Sequence, residues 1–290
     1  MANRTILITG ATGEIGRELA FRLGEAPDTI YLGGRNEDKL VELGTRLTMR
    51  GAKATFKPFP IDLASLTSIK SAAERFKAES THLDRLFENA GIMATGPKKT
   101  VDGFEEQFGV CHLGHFALVA HLLPLLKQTP GSRVTTTCSS AAWMGKMNFD
   151  DLMFDKKYDR YGVYCQAKLA NVLFAFELNR RFAKAGIDAS ANSAHPGFVF
   201  GNLQDEALKY AGWGERLFYK TVVRYLLAQP VSKGVEPLLL AGEGKGGALY
   251  GPKYLARGRG MEVKPPKQCL DEESAKHLWE VSEKLVDLSA

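Results

Sequence analysis

Short apolar runs recur along the chain, separated by stretches with helical periodicity. Ile6–Ile8 is the first; it is too short for a helix and suits a strand buried on both faces. Similar runs predict strands at Thr5–Thr9, Thr29–Gly33, Ala54–Ile61, Leu83–Glu88, Arg133–Cys138 and Asp188–Ala194, with a short one near Ala248–Tyr250. Helical patterns fall around 15–25, 36–50, 65–79, 103–127, 162–185 and 232–243. Asp271–Leu288 reads as a last helix, with Asp271 as N-cap and Leu278, Trp279, Val281 and Leu285 for its apolar contacts. Strands alternating with helices predict an α/β fold, a doubly wound and mostly parallel seven-stranded sheet with helices on both faces. No repeat, low-complexity segment or linker interrupts the pattern, so residues 1–290 read as one domain.

Two regions break the rhythm. Trp143–Tyr161 has little periodicity, and Gly197–Pro230 is rich in aromatics and suits small helices. Both follow the C-terminal ends of strands, where open α/β sheets bind ligands. Residues 197–230 therefore read as a substrate-binding lid.

Bulk properties narrow the function classes. The net charge of +5 is mild, and no basic run is interleaved with aromatics, which argues against a nucleic-acid partner. Cys111, Cys138, Cys165 and Cys269 form no CxxC pair and no metal-ligand spacing with histidine; they read as reduced thiols of a cytoplasmic protein. His112, His115 and His121 fall on a core or interface helix and His195 ends a strand, so no metal site is expected. The N-terminal stretch lacks a signal-peptide pattern, and no membrane anchor is expected. Phe116–Leu126 is apolar, but His121 and Pro124 interrupt it short of the roughly 20 residues a span needs.

Candidate chemistry lies at two places. After the first strand, glycines at 10, 13 and 16 precede a helical pattern carrying Ile15, Leu19, Ala20 and Leu23 on one side. A strand, a glycine turn and a helix N-terminus suit a diphosphate, although a βα turn without a ligand reads the same way. Further on, Tyr164 and Lys168 lie about one turn apart on one helix face. A nearby ammonium favours the phenolate and lowers the tyrosine pKa, making a proton-transfer pair. Alone, the pair also fits a packed phenol beside a solvated lysine.

Taken together, Thr9-Gly10-Ala11-Thr12-Gly13-Glu14-Ile15-Gly16, Asp62-Leu63, Asn89-Ala90-Gly91, Ser139, Tyr164-xxx-Lys168 and His195-Pro196-Gly197 resemble the short-chain dehydrogenase/reductase superfamily from end to end. His112-Leu113-Gly114-His115-Phe116, Lys168 to Phe174 and Leu278 to Leu285 most resemble its retinol-dehydrogenase-like and WW-domain-oxidoreductase-like branch, with protochlorophyllide reductases as cousins. The resemblance implies Tyr164 as general acid or base, Lys168 lowering its pKa and holding the nicotinamide ribose, and Ser139 bonding the substrate oxygen. Ser140 is adjacent, and strand alternation would let only one of the two face the site. The resemblance also implies a cofactor site built from Gly10, Thr12, Gly13, Glu14, Ile15, Gly16, Asp62, Leu63, Asn89, Ala90, Gly91, Tyr164, Lys168, Pro196, Gly197 and Val199.

NAD-preferring members carry an acid at the end of the second strand; here Leu32-Gly33-Gly34-Arg35 has none, and Arg35 suits a 2′-phosphate. NADP(H) is the expected cofactor. The chain departs from the branch at Cys111 (usually Asn), Glu88 (usually Asn) and Gly201 (usually Ser or Thr, with Asn202 as a possible substitute). The reading is an NADP(H)-dependent oxidoreductase acting on a hydrophobic carbonyl or alcohol. Trp143, Met144, Met147, Phe198, Phe200, Trp213 and Phe218 are candidate pocket walls. A nucleotide-binding sensor with little catalysis and a C=C reductase are the alternatives. A homodimer through helices 103–127 and 162–185 is a further expectation from the resemblance.

Overall fold

The computed structural model describes residues 3–287. The strands are β1 (Thr5–Ile8), β2 (Thr29–Gly34), β3 (Thr55–Pro60), β4 (Arg85–Glu88), β5 (Ser132–Thr137), β6 (Ala189–Ala194), β7 (Leu249–Pro252) and β8 (Gly260–Val263). They form one sheet in the order β3-β2-β1-β4-β5-β6-β7-β8. All neighbours are parallel except β7 and β8. The expected seven-stranded sheet thus gains an eighth, antiparallel edge strand. Its four residues, Gly-Met-Glu-Val, leave Met261 and Glu262 exposed, so no apolar run marks it.

The helices are α1 (Glu14–Leu23), α2 (Glu37–Met49), α3 (Leu66–Glu79), α4 (Glu106–Phe108), α5 (Gly114–Gln128), α6 (Arg160–Lys184), α7 (Asn202–Leu208), α8 (Trp213–Phe218), α9 (Val231–Gly234), α10 (Glu236–Glu243) and α11 (Glu272–Val286). Strand alternation divides the core between two faces. Ile6 and Ile8 of β1 join Leu19, Leu40 and Leu238 on one side. Leu7 joins Ile69, Phe116 and Leu173 on the other.

A π-helical turn, Gly109–Leu113, joins α4 to α5. Glu106–Gln128 is therefore one 23-residue helix, long and apolar enough by length and composition to cross a membrane. This corrects the expectation that His121 and Pro124 break the run. The helix is a core element, with 72% of its apolar window buried. Asp271 caps α11 as expected, accepting from Ser274 N–H at 3.0 Å; Leu288 lies outside the described residues. Trp279 of α11 seats against Phe116 and Phe174, at ring separations of 5.0 and 5.7 Å. The chain's own last helix thus packs against α5 and α6 through Trp279.

The winding reverses between β1 and β4, and the crevice beyond their C-terminal ends is the topological switch point. The glycine turn leaves β1 there, and Asn89-Ala90-Gly91 leaves β4 beside it.

Candidate active site

Gly10 sits at φ +65°, where a side chain is strained, and an added Cβ would lie 2.7 Å from Ala90 Cα. The turn is therefore pressed against the end of β4. Asn89 Nδ2 locks the contact by donating to Thr9 O (2.9 Å) and Gly10 O (3.2 Å). Thr9 Oγ1 accepts from the main-chain N–H of Asn89 (2.9 Å) and Ala90 (3.0 Å). His115 completes the brace, with Nδ1 3.0 Å from Cys111 O and Nε2 2.8 Å from Thr9 Oγ1. A carbonyl only accepts, so Nδ1 carries the proton and Nε2 accepts from the threonine. Burial lowers the His115 pKa to about 4; the Cys111 carbonyl opposes this and the Lys168 charge reinforces it. Thr9 and His115 thus shape the site, although composition marks His115 only as a core residue.

Gly13, the N-cap of α1, has no side chain to cap the helix, so the first-turn N–H groups are available to an anion. Thr12 is half-buried in the turn, and Gly16 is buried behind it, where an added Cβ would lie 2.8 Å from Ala11 Cα. Glu14 departs from expectation. Its carboxylate turns away toward the lid, accepting from Asn202 N–H at 3.1 Å and abutting Gly201. Only its main chain is placed for a phosphate. Ile15, Pro196 and Val199 close around Gly234 of α9, which joins the turn to the segment after β6. Gly197, at φ +67°, makes the bend that allows this.

Arg35 stands exposed just past β2, and Glu37 and Asp38 fall in the first turn of α2, capped by Asn36. No acid ends β2. Asp62 Oδ1 accepts from Ala64 N–H at 3.0 Å, and Ser65 is the N-cap of α3, so Asp62 is not the cap. Leu63 is buried against Gly114. The open N-terminus of α1 and the glycine turn before it fit the diphosphate of a dinucleotide.

Ser139, Tyr164 and Lys168 meet at the C-terminal ends of β5 and α6's first turns. β5 ends at Thr137, so strand alternation no longer governs the two serines, and both Ser139 and Ser140 border the same cavity. Of the two, Ser139 is the one that acts on the Tyr164 phenol, its hydroxyl lying near enough to favour the phenolate. Its Oγ also accepts from Ala141 N–H at 3.2 Å, which fixes the side chain. Lys168 Nζ lies 5.8 Å from the Tyr164 ring centroid and donates to Thr137 O at 3.2 Å. A Cβ on Gly91 would sit 3.1 Å from Lys168 Nζ and 3.4 Å from Cys111 Sγ. Gly91 therefore leaves room for the ammonium between the phenol and the glycine turn.

Burial holds the Tyr164 phenol well above its ordinary pKa, and the nearby Ser139 hydroxyl only partly offsets this. The lowering expected from Lys168 is not seen: burial sets the direction, and Tyr164 is only 6% exposed. The phenol is a proton donor in this state. Cys111 Sγ makes only weak 3.5 Å contacts to Ile92 N and O, within the π turn.

A cavity of about 1100 Å³ opens above Tyr164 and Ser139. Of the expected walls, Met144, Met147 and Phe198 line it; Met93, Phe149, Phe154, Tyr161, Cys165 and Tyr219 were not foreseen. Trp143 instead packs on His195 at 5.1 Å, and Phe200 lies under Arg224. Trp213 and Phe218 face outward. His112 is a core residue bonded to Ser282, with its pKa lowered by burial to about 3. Among the described residues no cluster could hold a metal.

A sheet of this winding, with an anion-ready turn and a half-buried serine beside a buried tyrosine and lysine at one switch point, belongs among Rossmann-type dehydrogenases. Residues 4–209 match the family described as short chain dehydrogenase, and the chain belongs to that family, in its retinol-dehydrogenase-like branch. Members use nicotinamide cofactors. Retinol dehydrogenase 14 of Homo sapiens is 33% identical, covering 99% of this chain and 88% of its own length. Polyprenol dehydrogenase of Homo sapiens is 34% identical over 87% of this chain and 78% of its own. The crystal structure of an uncharacterised protein from Mycobacterium paratuberculosis matches with a TM-score of 0.78 and 33% identity, covering 99% of this chain and 94% of that one.

Proposed function

We propose that the chain is an NADP(H)-dependent oxidoreductase that interconverts a bulky hydrophobic carbonyl compound and its alcohol. The observation that carries this reading is the buried Tyr164 phenol beside Ser139, both lining a cavity whose wall is rich in methionines and aromatics and also carries Lys146, Asn148, Asp150 and Asp159. The nicotinamide, when bound, supplies or accepts the hydride. Ser139 then hydrogen-bonds the substrate oxygen and stabilises the negative charge that develops on it. Tyr164 gives that oxygen its proton in reduction and takes it back in oxidation. The Lys168 ammonium holds the ribose and favours the phenolate left after proton transfer. Arg35 pairs with the 2′-phosphate, and the first turn of α1 holds the diphosphate. The relatives' names, retinol and polyprenol dehydrogenase, support a hydrophobic substrate class.

The test is NADPH oxidation by the purified protein over a panel of hydrophobic aldehydes and ketones. Turnover of at least one, abolished in Tyr164→Phe while NADPH still binds, is the expected result. Tight NADPH binding with no turnover across the panel would overturn the reading in favour of a nucleotide sensor.

A further inference from the structure

We infer that the outer face of the lid docks on an anionic phospholipid bilayer. α8 and the π-helical turn Tyr219–Leu227 form a continuous helical segment from Trp213 to Leu227. Within it only Val223 is fully buried. Trp213 is 83% exposed and Tyr225 76%, and Leu217, Phe218 and Leu226 are exposed beside them. A short helix is normally held by burying an apolar face. This one is tethered by polar groups instead: Arg160 binds Glu215 at 2.6 Å, and Tyr161 donates to the same carboxylate. Apart from Val223, its apolar side is open among the described residues.

Charge selects the occupant. Glu215 is the only acid between 213 and 227, and it is already paired with Arg160. Lys220 and Arg224 lie among the exposed apolar groups. The neighbouring loop 253–259 adds Lys253, Arg257 and Arg259 and contains no acid. That loop is tied beneath the lid by Phe198 N–H to Ala256 O (2.6 Å) and Gly258 N–H to Gln229 Oε1 (3.0 Å). Exposed Tyr254 lies under Lys253. Tryptophan, tyrosine and leucine interleaved with cations and lacking free carboxylates complement the headgroup region of an anionic leaflet.

The same surface runs into the cavity. Phe218 packs on Tyr219 at 6.2 Å and Tyr219 on Phe198 at 6.4 Å, and Tyr219 and Phe198 both line the cavity. An apolar substrate dissolved in the bilayer would meet the mouth without crossing water. This delivery role rests on the proposed function, whereas the docking itself does not.

The test uses the whole chain with vesicles of phosphatidylcholine alone or with about a quarter phosphatidylserine. Cosedimentation with the phosphatidylserine vesicles is expected, with quenching of tryptophan fluorescence by brominated lipid that is lost in Trp213→Phe. Lys220→Ala/Arg224→Ala should weaken binding roughly 30-fold, about fivefold per cation. Trp213 and both cations lie outside the cavity, so these variants should keep wild-type circular dichroism and turnover of a short, water-soluble aldehyde. Absence of binding to phosphatidylserine vesicles, equal binding by the variants, or a second copy covering Trp213 in solution would overturn the inference. Vesicle binding without turnover would leave it intact and instead refute the oxidoreductase reading.

Discussion

Glu88 ends β4 fully buried, with Oε1 lacking any hydrogen-bond partner. Burial alone pushes its carboxyl well above the usual range, so the folded protein holds it protonated where the unfolded chain ionises. The sign follows from linkage. Folded Glu88 binds a proton more tightly, so its contribution is complete below the ordinary carboxylate value of about 4.5 and is lost as pH rises toward the folded value. Each pH unit in that window costs about 1.4 kcal/mol. Glu88→Gln keeps the shape and removes the titration. The stability difference, variant minus wild type, should therefore grow as pH rises above about 4.5, for as long as folded Glu88 stays protonated. In thermal unfolding each kcal/mol of that difference widens the Tm gap by about 2 °C. Urea unfolding of both proteins across this range measures it directly. A gap that is the same at every pH would refute the buried-acid account, whatever its size.

Other outcomes follow from the same geometry. Burial lowers the pKa of His112 to about 3 and those of His115 and His195 to about 4, so the unfolded chain binds more protons below its histidine value of about 6.5. Near pH 5 each should have cost about 2 kcal/mol, and His115→Gln, compared with wild type by urea unfolding, should flatten that slope. Arg35→Ala should raise Kd for NADPH at least tenfold more than for NADH, by fluorescence titration; equal losses would remove the 2′-phosphate assignment. Cys111→Asn should preserve or raise kcat, because the thiol makes only weak contacts at 3.5 Å, and a collapse of kcat would give the sulfur a role of its own. Burial holds Tyr164 protonated, so the rate of carbonyl reduction should not fall between about pH 6 and 9; a decline centred below the ordinary tyrosine pKa would show that Lys168 dominates.

Much of the site was readable because its parts are local. A strand, a glycine turn and a helix start sit within sixteen residues, and Tyr164 and Lys168 share one helix face. What escaped depends on tertiary packing. The loop 143–161 has no periodicity, so nothing along the chain shows that Phe149, Phe154 and Tyr161 converge on Tyr219 across the cavity. The direction of the Glu14 carboxylate depends on where residues 201–202 come to rest. The effect of Lys168 on Tyr164 depends on burial, which spacing does not report. The eighth strand is an exposed edge and carries no hydrophobic signature. The covering of α5 and α6 by α11 joins residues more than a hundred positions apart, through Trp279 on Phe116 and Phe174.

The central claim is that Tyr164 and Ser139 serve hydride transfer to a carbonyl in the cavity they line. The direct measurement is mass analysis of product formed with NADPH deuterated at the transferring position and a long-chain aldehyde. One deuterium on the carbinol carbon is expected with wild type, with labelled product lost in Tyr164→Phe although NADPH still binds. Deuterium on a former C=C carbon, or undiminished labelling in Tyr164→Phe, would contradict it.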